Sequence, residues 1–222
     1  AMFEIMRSDL NTAIIGDIMD EKGYHHQFLP PEIKPLRKDM VVAGSAMPVL
    51  EADAFERLSE GANPMMGKTF GLMLEALDDL KKDEVYICGV PSLRYALVGE
   101  LMATRMQKLG AAGSVMYGYH RDGNGIAALD NYACFSIGAY AQDQAVRGKV
   151  IDYRVPIEIE GVRINPGDIV FGDFEGVLII PKDAAEEIVS IAIKRLSEER
   201  VALKSIQEGM SAVASFEKHG IM

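Results

Sequence analysis

One strand–helix–strand segment limits the possible folds of this chain more than any other feature of its sequence. A short apolar run at Val85–Val90 is followed by a helical pattern from about Gly99 to Leu109 and by a second apolar run at Gly113–Tyr117. Two strands joined by a helix in this way form a parallel pair with a right-handed crossover. The sequence therefore predicts a parallel sheet with a helix on its face.

The second half of the chain is predicted to be rich in strands. Turn sequences such as Glu160-Gly161 separate its apolar runs, a pattern typical of short strands. The predicted strands are Ala133–Ile137, Val150–Val155, Ile157–Ile159, Val162–Ile164, Asp168–Phe171 and Val177–Ile180. A long helix is predicted from Ala184 to about Gln207, with Asp183 and Glu186 forming an acidic capping box.

Fewer elements are predicted before residue 85. An amphipathic pattern predicts a helix over Asp9–Glu21 that is capped by Ser8. Met40–Leu50 is predicted to be a strand that breaks at its glycine and at its proline. Apolar positions on one face predict a second helix over Lys68–Lys81.

Length and composition indicate one globular domain. The 222 residues are 49% hydrophobic and 25% charged, which excludes disordered and collagen-like classes. Only two cysteines occur, Cys88 and Cys134, so we expect buried, inert thiols rather than a zinc cluster or a disulfide framework. We expect a single mixed α/β domain over residues 1–222, with helices packed on layered sheets.

The charge balance and the hydropathy pattern exclude two classes of partner. The chain has 33 acidic and 23 basic residues, a net charge of −10, and such a surface repels a phosphate backbone. We therefore expect no binding to nucleic acid. There is no run of 18 or more apolar residues and no secretory leader pattern, so we also expect no membrane association and a cytoplasmic location.

Two short segments carry residues suited to chemistry. The first, His120-Arg121-Asp122, follows an apolar strand, and loops at strand ends bind ligands in α/β proteins. An aspartate there can hold a hard divalent cation, while an arginine can bind an anionic oxygen. An ordinary Arg-Asp turn on the surface explains the same residues.

The second segment, Gly99–Thr104, opens a helix. The first amides of a helix are unpaired and carry a positive partial charge, so a carboxylate ligand fits there, and Gly99 allows close approach. Glu100 in the first turn has a simpler explanation, because acidic residues favour helix N-termini whatever their function.

Together these segments resemble a known family. Glu100, twenty intervening residues and then Arg121-Asp122 match the acidic-X20-Arg-Asp signature of the RraA-like family, which includes divalent-metal-dependent 4-hydroxy-4-methyl-2-oxoglutarate aldolases. Three further segments are similar to motifs of the family. Gly99–Thr104 resembles its GELLAT segment, Gly172–Val177 with Ile180-Pro181 resembles its GDxDGVxxxP stretch, and Arg163–Asp168 resembles its VRPGD turn. The resemblance extends from about Val85 to the end. It implies a β/β/α-layered sandwich of the swivelling type that assembles as a homotrimer or homohexamer.

The resemblance also implies a reaction and a role for each site residue. Asp122 would hold Mg²⁺ or Mn²⁺, Glu100 would orient a metal-bound water, and Arg121 would contact the pyruvyl oxygens. The residues around the helix start that would bind the substrate carboxylate are Gly99, Leu101, Met102 and Ala103. The implied enzyme is a class II lyase that cleaves a small 4-hydroxy-2-oxo acid to pyruvate, with oxaloacetate decarboxylation as a side activity.

Two questions stay open from the sequence. Substrate identity is one, because the segments Pro91–Tyr95 and Ala62–Lys68 depart from the family pattern where substrate tails are expected. Lys68 and Arg94 are either substrate contacts or solvated charges. His120 is either an acid–base group or, from strand alternation, a side chain that points away from the site.

The other open question is whether the protein is an enzyme at all. Some RraA-like proteins are non-catalytic regulators that bind and inhibit an RNA-degrading enzyme. The acidic residue at Glu100 favours the enzyme, whereas the net charge of −10 would permit binding to a basic protein partner.

Overall fold

A computed structural model describes residues 2–54, 67–90 and 92–221. Helices and strands alternate in the first part of the chain: α1 Met2–Asp9, α2 Thr12–Glu21, β1 Lys34–Pro35, β2 Val42–Asp53, α3 Met73–Asp79, β3 Glu84–Gly89, β4 Ala96–Val98, α4 Glu100–Lys108, β5 Gly113–Tyr117, β6 Tyr119–His120 and α5 Gly123–Ala127. Strands dominate the remainder until two final helices: β7 Ala133–Ser136, β8 Gly138–Ala139, β9 Gly148–Tyr153, β10 Ile157–Ile159, β11 Val162–Ile164, β12 Ile169–Gly172, β13 Val177–Ile180, α6 Ala185–Gln207 and α7 Ala212–His219.

An eight-stranded sheet forms the centre of the molecule. Its strand order is β1-β7-β5-β3-β2-β12-β13, and β9 pairs with β2 as well. Strands β2, β3, β5 and β7 run parallel, while β1, β9, β12 and β13 are antiparallel to their neighbours. The parallel pairing of β3 with β5 confirms the strand–helix–strand prediction.

The faces of this sheet are covered by different layers. Helices α3 and α4 pack on one face, where Leu77 and Met106 lie in the same buried cluster as Tyr86. The hairpin β10–β11 packs on the other face, where Ile159 is buried with Ile87. Helices α1, α2 and α6 form a third cluster with β12 and β13. This arrangement confirms the mixed α/β class and the layered β/β/α order that the resemblance implied.

Strand β2 is continuous over twelve residues, so the predicted breaks at Gly44 and Pro48 are wrong. One edge of β2 pairs first with β12, as far as Ser45, and then with β9, from Val49 onwards. Pro48 is tolerated because it lies between these two ladders. The N–H group that proline lacks is therefore not needed by either ladder. Gly44 is needed because a side chain there would collide with the backbone of Asp83.

The two predicted helices before residue 85 have different boundaries in the structure. The pattern over 9–21 belongs to two helices, and Asn11 rather than Ser8 caps the second by accepting the Ile14 amide at 2.9 Å. The helix predicted over Lys68–Lys81 is shorter, because Gly71 has a left-handed backbone (φ 64°) and pairs as a β-bridge with Val150.

The long C-terminal helix is confirmed, but its predicted capping box is wrong. A 3₁₀ turn over Lys182–Ala184 leads into α6, and Ala184 occupies the cap position without a side-chain hydrogen bond. Helix α6 is attached to α2 by a bidentate ion pair in which Arg195 donates to Glu21 at 2.7 and 2.8 Å.

Two exclusions made from the sequence can be compared with the structure. Cys88 and Cys134 are both buried free thiols, as predicted. Among the helices of the described ranges, none combines the length and the apolar character needed to cross a membrane.

Candidate active site

Three very short parallel strands form the base of the candidate site. Strands β4, β6 and β8 pair side by side, with Val98 opposite His120 and His120 opposite Ala139. The carboxyl ends of parallel strands meet at one edge of a sheet. At this edge the chain continues from β4 into Gly99 and Glu100, from β6 into Arg121-Asp122, and from β8 towards Asp143.

The guanidinium of Arg121 lies between two carboxylates. Its Nη1 is 3.1 Å from Asp143 Oδ1, and its Nε is 3.8 Å from Asp122 Oδ2. The same atom, Asp122 Oδ2, also accepts a hydrogen bond from the backbone amide of Glu100, at 3.4 Å. All three charged side chains of this group are between 40% and 51% exposed, so they remain open to a ligand.

Backbone conformation brings the predicted acidic residues close together. Asp122 is left-handed (φ 57°, ψ 37°), a conformation that aspartate tolerates better than most residues, and it starts α5. A side chain at Gly99 would lie 2.9 Å from Asp122 Oδ2, and one at Gly125 would collide with the Glu100 carboxylate. Two glycines therefore allow the Glu100 and Asp122 carboxylates to pack against the neighbouring backbone.

The start of helix α4 offers backbone donors beside this group. Gly99 occupies the cap position with no side chain, and its carbonyl accepts the Ala103 amide at 3.0 Å. The Ala103 amide is therefore already used within the helix. Those of Leu101 and Met102 have no acceptor in the described part of the chain, as is usual in a first turn.

A cavity of about 430 Å³ opens beside these groups. Its polar lining consists of Asp78, Arg105, Arg121, Asp122, Asp143 and Gln144. Apolar side chains from the region of α3, from β4 and from α4 form the rest of the wall, together with Gly99: Phe70, Met73, Leu74, Leu77, Ala96, Leu97, Leu101 and Met102. Most of the predicted site residues are thus collected at one cavity; the Ala103 side chain is buried and Glu100 lies outside the lining, with its carboxylate on Gly125.

The donor set suits a hydrated hard cation. No group of three or more His, Cys, Asp or Glu residues able to hold a metal occurs within residues 2–54, 67–90 and 92–221. Asp122 lines the cavity and can supply carboxylate oxygens, which Mg²⁺ and Mn²⁺ prefer, while the Glu100 carboxylate packs against Gly125, three residues after Asp122. Mg²⁺ in particular keeps several waters and needs only one or two carboxylates, so these residues fit such an ion.

His120 lies beneath the site rather than in it. The side chain is only 4% exposed, and its Nδ1 is 2.7 Å from Ser136 Oγ, which in turn contacts the backbone of Gly138. Burial lowers the pKa of its imidazole. His120 does not line the cavity, in agreement with the strand alternation. The contact between His120 and Ser136 connects β6 to the end of β7.

The two other cations considered from the sequence have different surroundings. Lys68 forms an ion pair with Glu75 at the start of α3. Arg94 does not line the cavity. Two segments depart from the family pattern, Ala62–Lys68 and Pro91–Tyr95. Residues 62–66 of the first and Pro91 of the second lie outside the described residues.

The sequence analysis did not identify Asp143, nor the hydrogen-bonded pair of Gln144 and Glu51 next to it. Asp143 follows a strand of only two residues, and no pattern marks that strand. The neighbouring Gln144 donates from Nε2 to Glu51 Oε2 at 2.8 Å. Glu51 is turned into the interior where the β2–β9 register shifts between Leu50 and Glu51, and burial raises its pKa to about 8.

Comparison with known proteins gives matches over most of the chain. A family model described as Aldolase/RraA matches residues 12–179. The protein DlpA of Legionella pneumophila is 31% identical over 193 residues, which are 86% of this chain but only 29% of DlpA. A protein of Halalkalibacterium halodurans, provisionally named 4-hydroxy-4-methyl-2-oxoglutarate aldolase, is 29% identical over 92% of this chain and 89% of its own length.

A solved structure shows the same fold. RraAS2 of Streptomyces coelicolor, described as an unusual member of the RNase ES inhibitor RraA protein family, superposes with a TM-score of 0.76 at 21% identity, covering 90% of this chain and 94% of its own. Residues 12–179, which the family model matches, include most of the central sheet and all of β4, β6 and β8. On this evidence the chain belongs to the Aldolase/RraA family.

Proposed function

We propose that this protein is a divalent-metal-dependent lyase that cleaves a 4-hydroxy-2-oxo acid to pyruvate and a carbonyl product. The observation that carries the proposal is the grouping of Arg121, Asp122 and the start of helix α4 beside one cavity. Metal-assisted formation of an enolate needs a cationic side chain, an anion-binding site and a place for a metal ion within reach of one small substrate.

The chain's own residues would bind the pyruvyl half of the substrate. The free amides of Leu101 and Met102 would hold its carboxylate at the positive end of α4. Arg121 would contact the 2-oxo oxygen, while its ion pair with Asp143 fixes the direction of the guanidinium. Binding at both ends would orient the C3–C4 bond for cleavage.

Asp122, with Glu100 beside it, would hold Mg²⁺ or Mn²⁺. When bound, the ion would act as a Lewis acid that draws electron density from the 2-oxo group. Asp122 is suited to this position because its left-handed backbone turns the carboxylate towards the start of α4.

Cleavage requires one proton to leave and one to return. The C4 hydroxyl would lose its proton to a water held by the Glu100 carboxylate, and C4 would become the carbonyl carbon of the product. The C3–C4 electron pair would move onto C3, giving an enolate whose negative oxygen Arg121 stabilises. Protonation at C3 completes pyruvate. Loss of CO₂ from oxaloacetate produces the same enolate, so we propose that reaction as a side activity.

We also propose that the protein assembles as a homotrimer or homohexamer in the cytoplasm. Large exposed apolar side chains are concentrated on the two C-terminal helices, α6 and α7: Ile193, Val201, Leu203, Ile206, Val213 and Phe216. A concentration of this kind is what a surface covered by a second copy would present. Sedimentation equilibrium would show the number of subunits.

The first experiment measures pyruvate release, coupled to lactate dehydrogenase, from 4-hydroxy-4-methyl-2-oxoglutarate and oxaloacetate with Mg²⁺ and then with EDTA. Asp122→Asn is the informative variant, because asparagine also tolerates a left-handed backbone and removes only the charge. We expect it to lower kcat by about 100-fold or more. Asp17→Asn, on the exposed face of α2, is the matched control.

Two results would contradict the proposal. Turnover that is unchanged by EDTA would exclude the metal, and normal turnover by Asp122→Asn would exclude the site. If folded protein with Mg²⁺ releases no pyruvate from any 4-hydroxy-2-oxo acid but inhibits a purified ribonuclease, the regulatory function replaces the enzymatic one.

A further inference from the structure

The carboxylate that directs Arg121 lies in a segment without helix or strand. Asp143 belongs to residues 140–147, which connect β8 to β9. Its Oδ1 is 3.1 Å from Arg121 Nη1, and its Oδ2 accepts the Ala145 amide at 3.2 Å. The direction of the guanidinium therefore depends on what holds this connecting segment in place.

The Gln144 side chain joins the connecting segment to the central sheet. Its Nε2 donates to Glu51 Oε2 on β2 at 2.8 Å. Gln144 is 3% exposed and Glu51 is 5% exposed within a single copy of the chain. Both partners are thus already buried, and their contact does not depend on a neighbouring subunit.

Backbone hydrogen bonds hold the connecting segment on either side of this contact. The Gln142 carbonyl accepts the Ala96 amide at 2.8 Å, and the Arg147 carbonyl accepts the Ala54 amide at 2.8 Å. The side-chain bond from Gln144 therefore fixes the middle of the segment, next to the carboxylate that pairs with Arg121.

The position of Glu51 on β2 is unfavourable for stability. Glu51 lies on the same face of the strand as Met47 and Val49, which belong to the buried cluster beneath α3 and α4. Gln144 satisfies Oε2, but Oε1 has no partner among the described groups. A partly satisfied polar pair in an apolar cluster costs stability, so its presence indicates a role other than holding the fold together.

A metal ion at the site would increase the importance of Asp143. Besides its pairing with Asp143, Arg121 has its Nε 3.8 Å from Asp122 Oδ2. A divalent ion held by Asp122 would engage that carboxylate and repel the guanidinium. Of these two carboxylates, Asp143 would then be the one that keeps Arg121 directed into the site.

We propose that Gln144 and Glu51 are positioning residues for the lyase reaction. Their hydrogen bond holds Asp143, and through it Arg121, in the direction that the 2-oxo oxygen of the substrate requires. This inference rests on the proposed function, because that function gives Arg121 its place in the reaction.

A double-mutant cycle tests whether Gln144 acts through Asp143. Gln144→Met keeps the length of the side chain but removes the donor, and should lower kcat/KM for pyruvate release about fivefold at pH 7. In an Asp143→Asn background the same change should cause a further loss of less than about twofold, because the group that Gln144 holds is already impaired. A defect independent of Asp143 would instead give losses that multiply.

Gln27→Met is the matched control for this cycle. The Gln27 side chain also joins a loop to the central sheet, since its Nε2 donates to the Ile179 carbonyl on β13 at 2.6 Å. It does not line the cavity. We therefore expect the same substitution at this position to leave kcat/KM unchanged.

Two variants of Glu51 test the acceptor. Glu51→Met removes it and should reproduce the loss seen with Gln144→Met. Glu51→Gln restores an oxygen that can accept from Gln144, and should bring kcat/KM back to within about twofold of the unmodified protein at pH 7.

Hydrogen exchange measures the positioning without turnover. The Ala145 amide is bonded to Asp143 Oδ2, so its exchange rate reports whether Asp143 keeps its place. We expect Gln144→Met to raise this rate about fivefold or more, with and without Mg²⁺, and Gln27→Met to leave it unchanged.

The outcomes separate this inference from the function on which it rests. The positioning pair is refuted, while the lyase proposal stands, by losses that multiply in the cycle, by an unchanged exchange rate in Gln144→Met, or by Glu51→Gln being as inactive as Glu51→Met. If the unmodified protein releases no pyruvate, the proposed function is refuted, and the role of the pair in the reaction with it.

Discussion

Glu51 should make the stability of this protein depend on pH. Its carboxyl group is buried on β2, with Oε1 lacking a hydrogen-bond partner and Oε2 accepting only from Gln144 among the described groups. Burial raises its pKa from 4.5 to about 8. Tyr86 and Cys88, which lie near it, have pKa values raised well above their usual range by the same burial and stay neutral below pH 8.

The sign and size of the effect follow from linkage. In the unfolded chain Glu51 ionises near pH 4.5, whereas in the folded protein it keeps its proton up to about pH 8. The folded state therefore binds one more proton in this range, and its stability falls as the pH rises, by about 1.4 kcal/mol per unit. Between pH 5 and pH 8 the loss is about 3.5 kcal/mol, a large part of the stability of an average domain.

Glu51→Gln removes this dependence because the amide cannot ionise. We expect the difference in the free energy of unfolding, variant minus unmodified protein, to increase by about 3.5 kcal/mol from pH 5 to pH 8. Urea denaturation at one protein concentration and four pH values measures it. Glu158→Gln, at an exposed position of β10, is the control and should give a constant difference. A constant difference for Glu51→Gln would refute the argument.

Three further variants test the geometry of the site and of the fold. Gly125→Ala should displace the Glu100 carboxylate and lower kcat at least about tenfold with an unchanged circular dichroism spectrum; normal kcat would show that Glu100 has no part in the reaction. Asp143→Asn should lower kcat/KM by about tenfold, or 1.4 kcal/mol, because Arg121 loses its ionic partner; an unchanged value would exclude a positioning role. Arg154→Lys should lower the free energy of unfolding by about 1 kcal/mol in urea denaturation, since lysine cannot reproduce the forked bonds to two carboxylates, and no loss would show that this ion pair is not stabilising.

Long apolar segments of the fold could be predicted from the sequence. Strand β5 has the predicted bounds, and β3 begins and ends one residue earlier than predicted, because each is a run of apolar residues buried on both faces of the sheet. The positions of Pro48 and Gly71 were harder to interpret. Their effects depend on which strand pairs beside them, and this pairing is a property of the tertiary structure.

The candidate site could be predicted only in part. Glu100, Arg121 and Asp122 were found because their spacing matches a family signature, and the structure shows why that spacing matters: it places them after neighbouring parallel strands. Strands of two or three residues have too few positions for any periodicity to appear. Asp143 follows the shortest kind of strand, so no local pattern could indicate that it contacts Arg121.

The central position of β2 has a consequence for how the chain folds. Val42 pairs with Gly172, 130 positions later, and Asp53 pairs with Gly148. During synthesis β2 can therefore find β3 early, but its opposite edge stays open until the last third of the chain has left the ribosome. Pairing across such sequence distances is slow. An unpaired edge in a chain of this length favours association with other chains. We expect expression yield to depend more on the rate at which β9 and β12 reach β2 than on the stability of the finished protein.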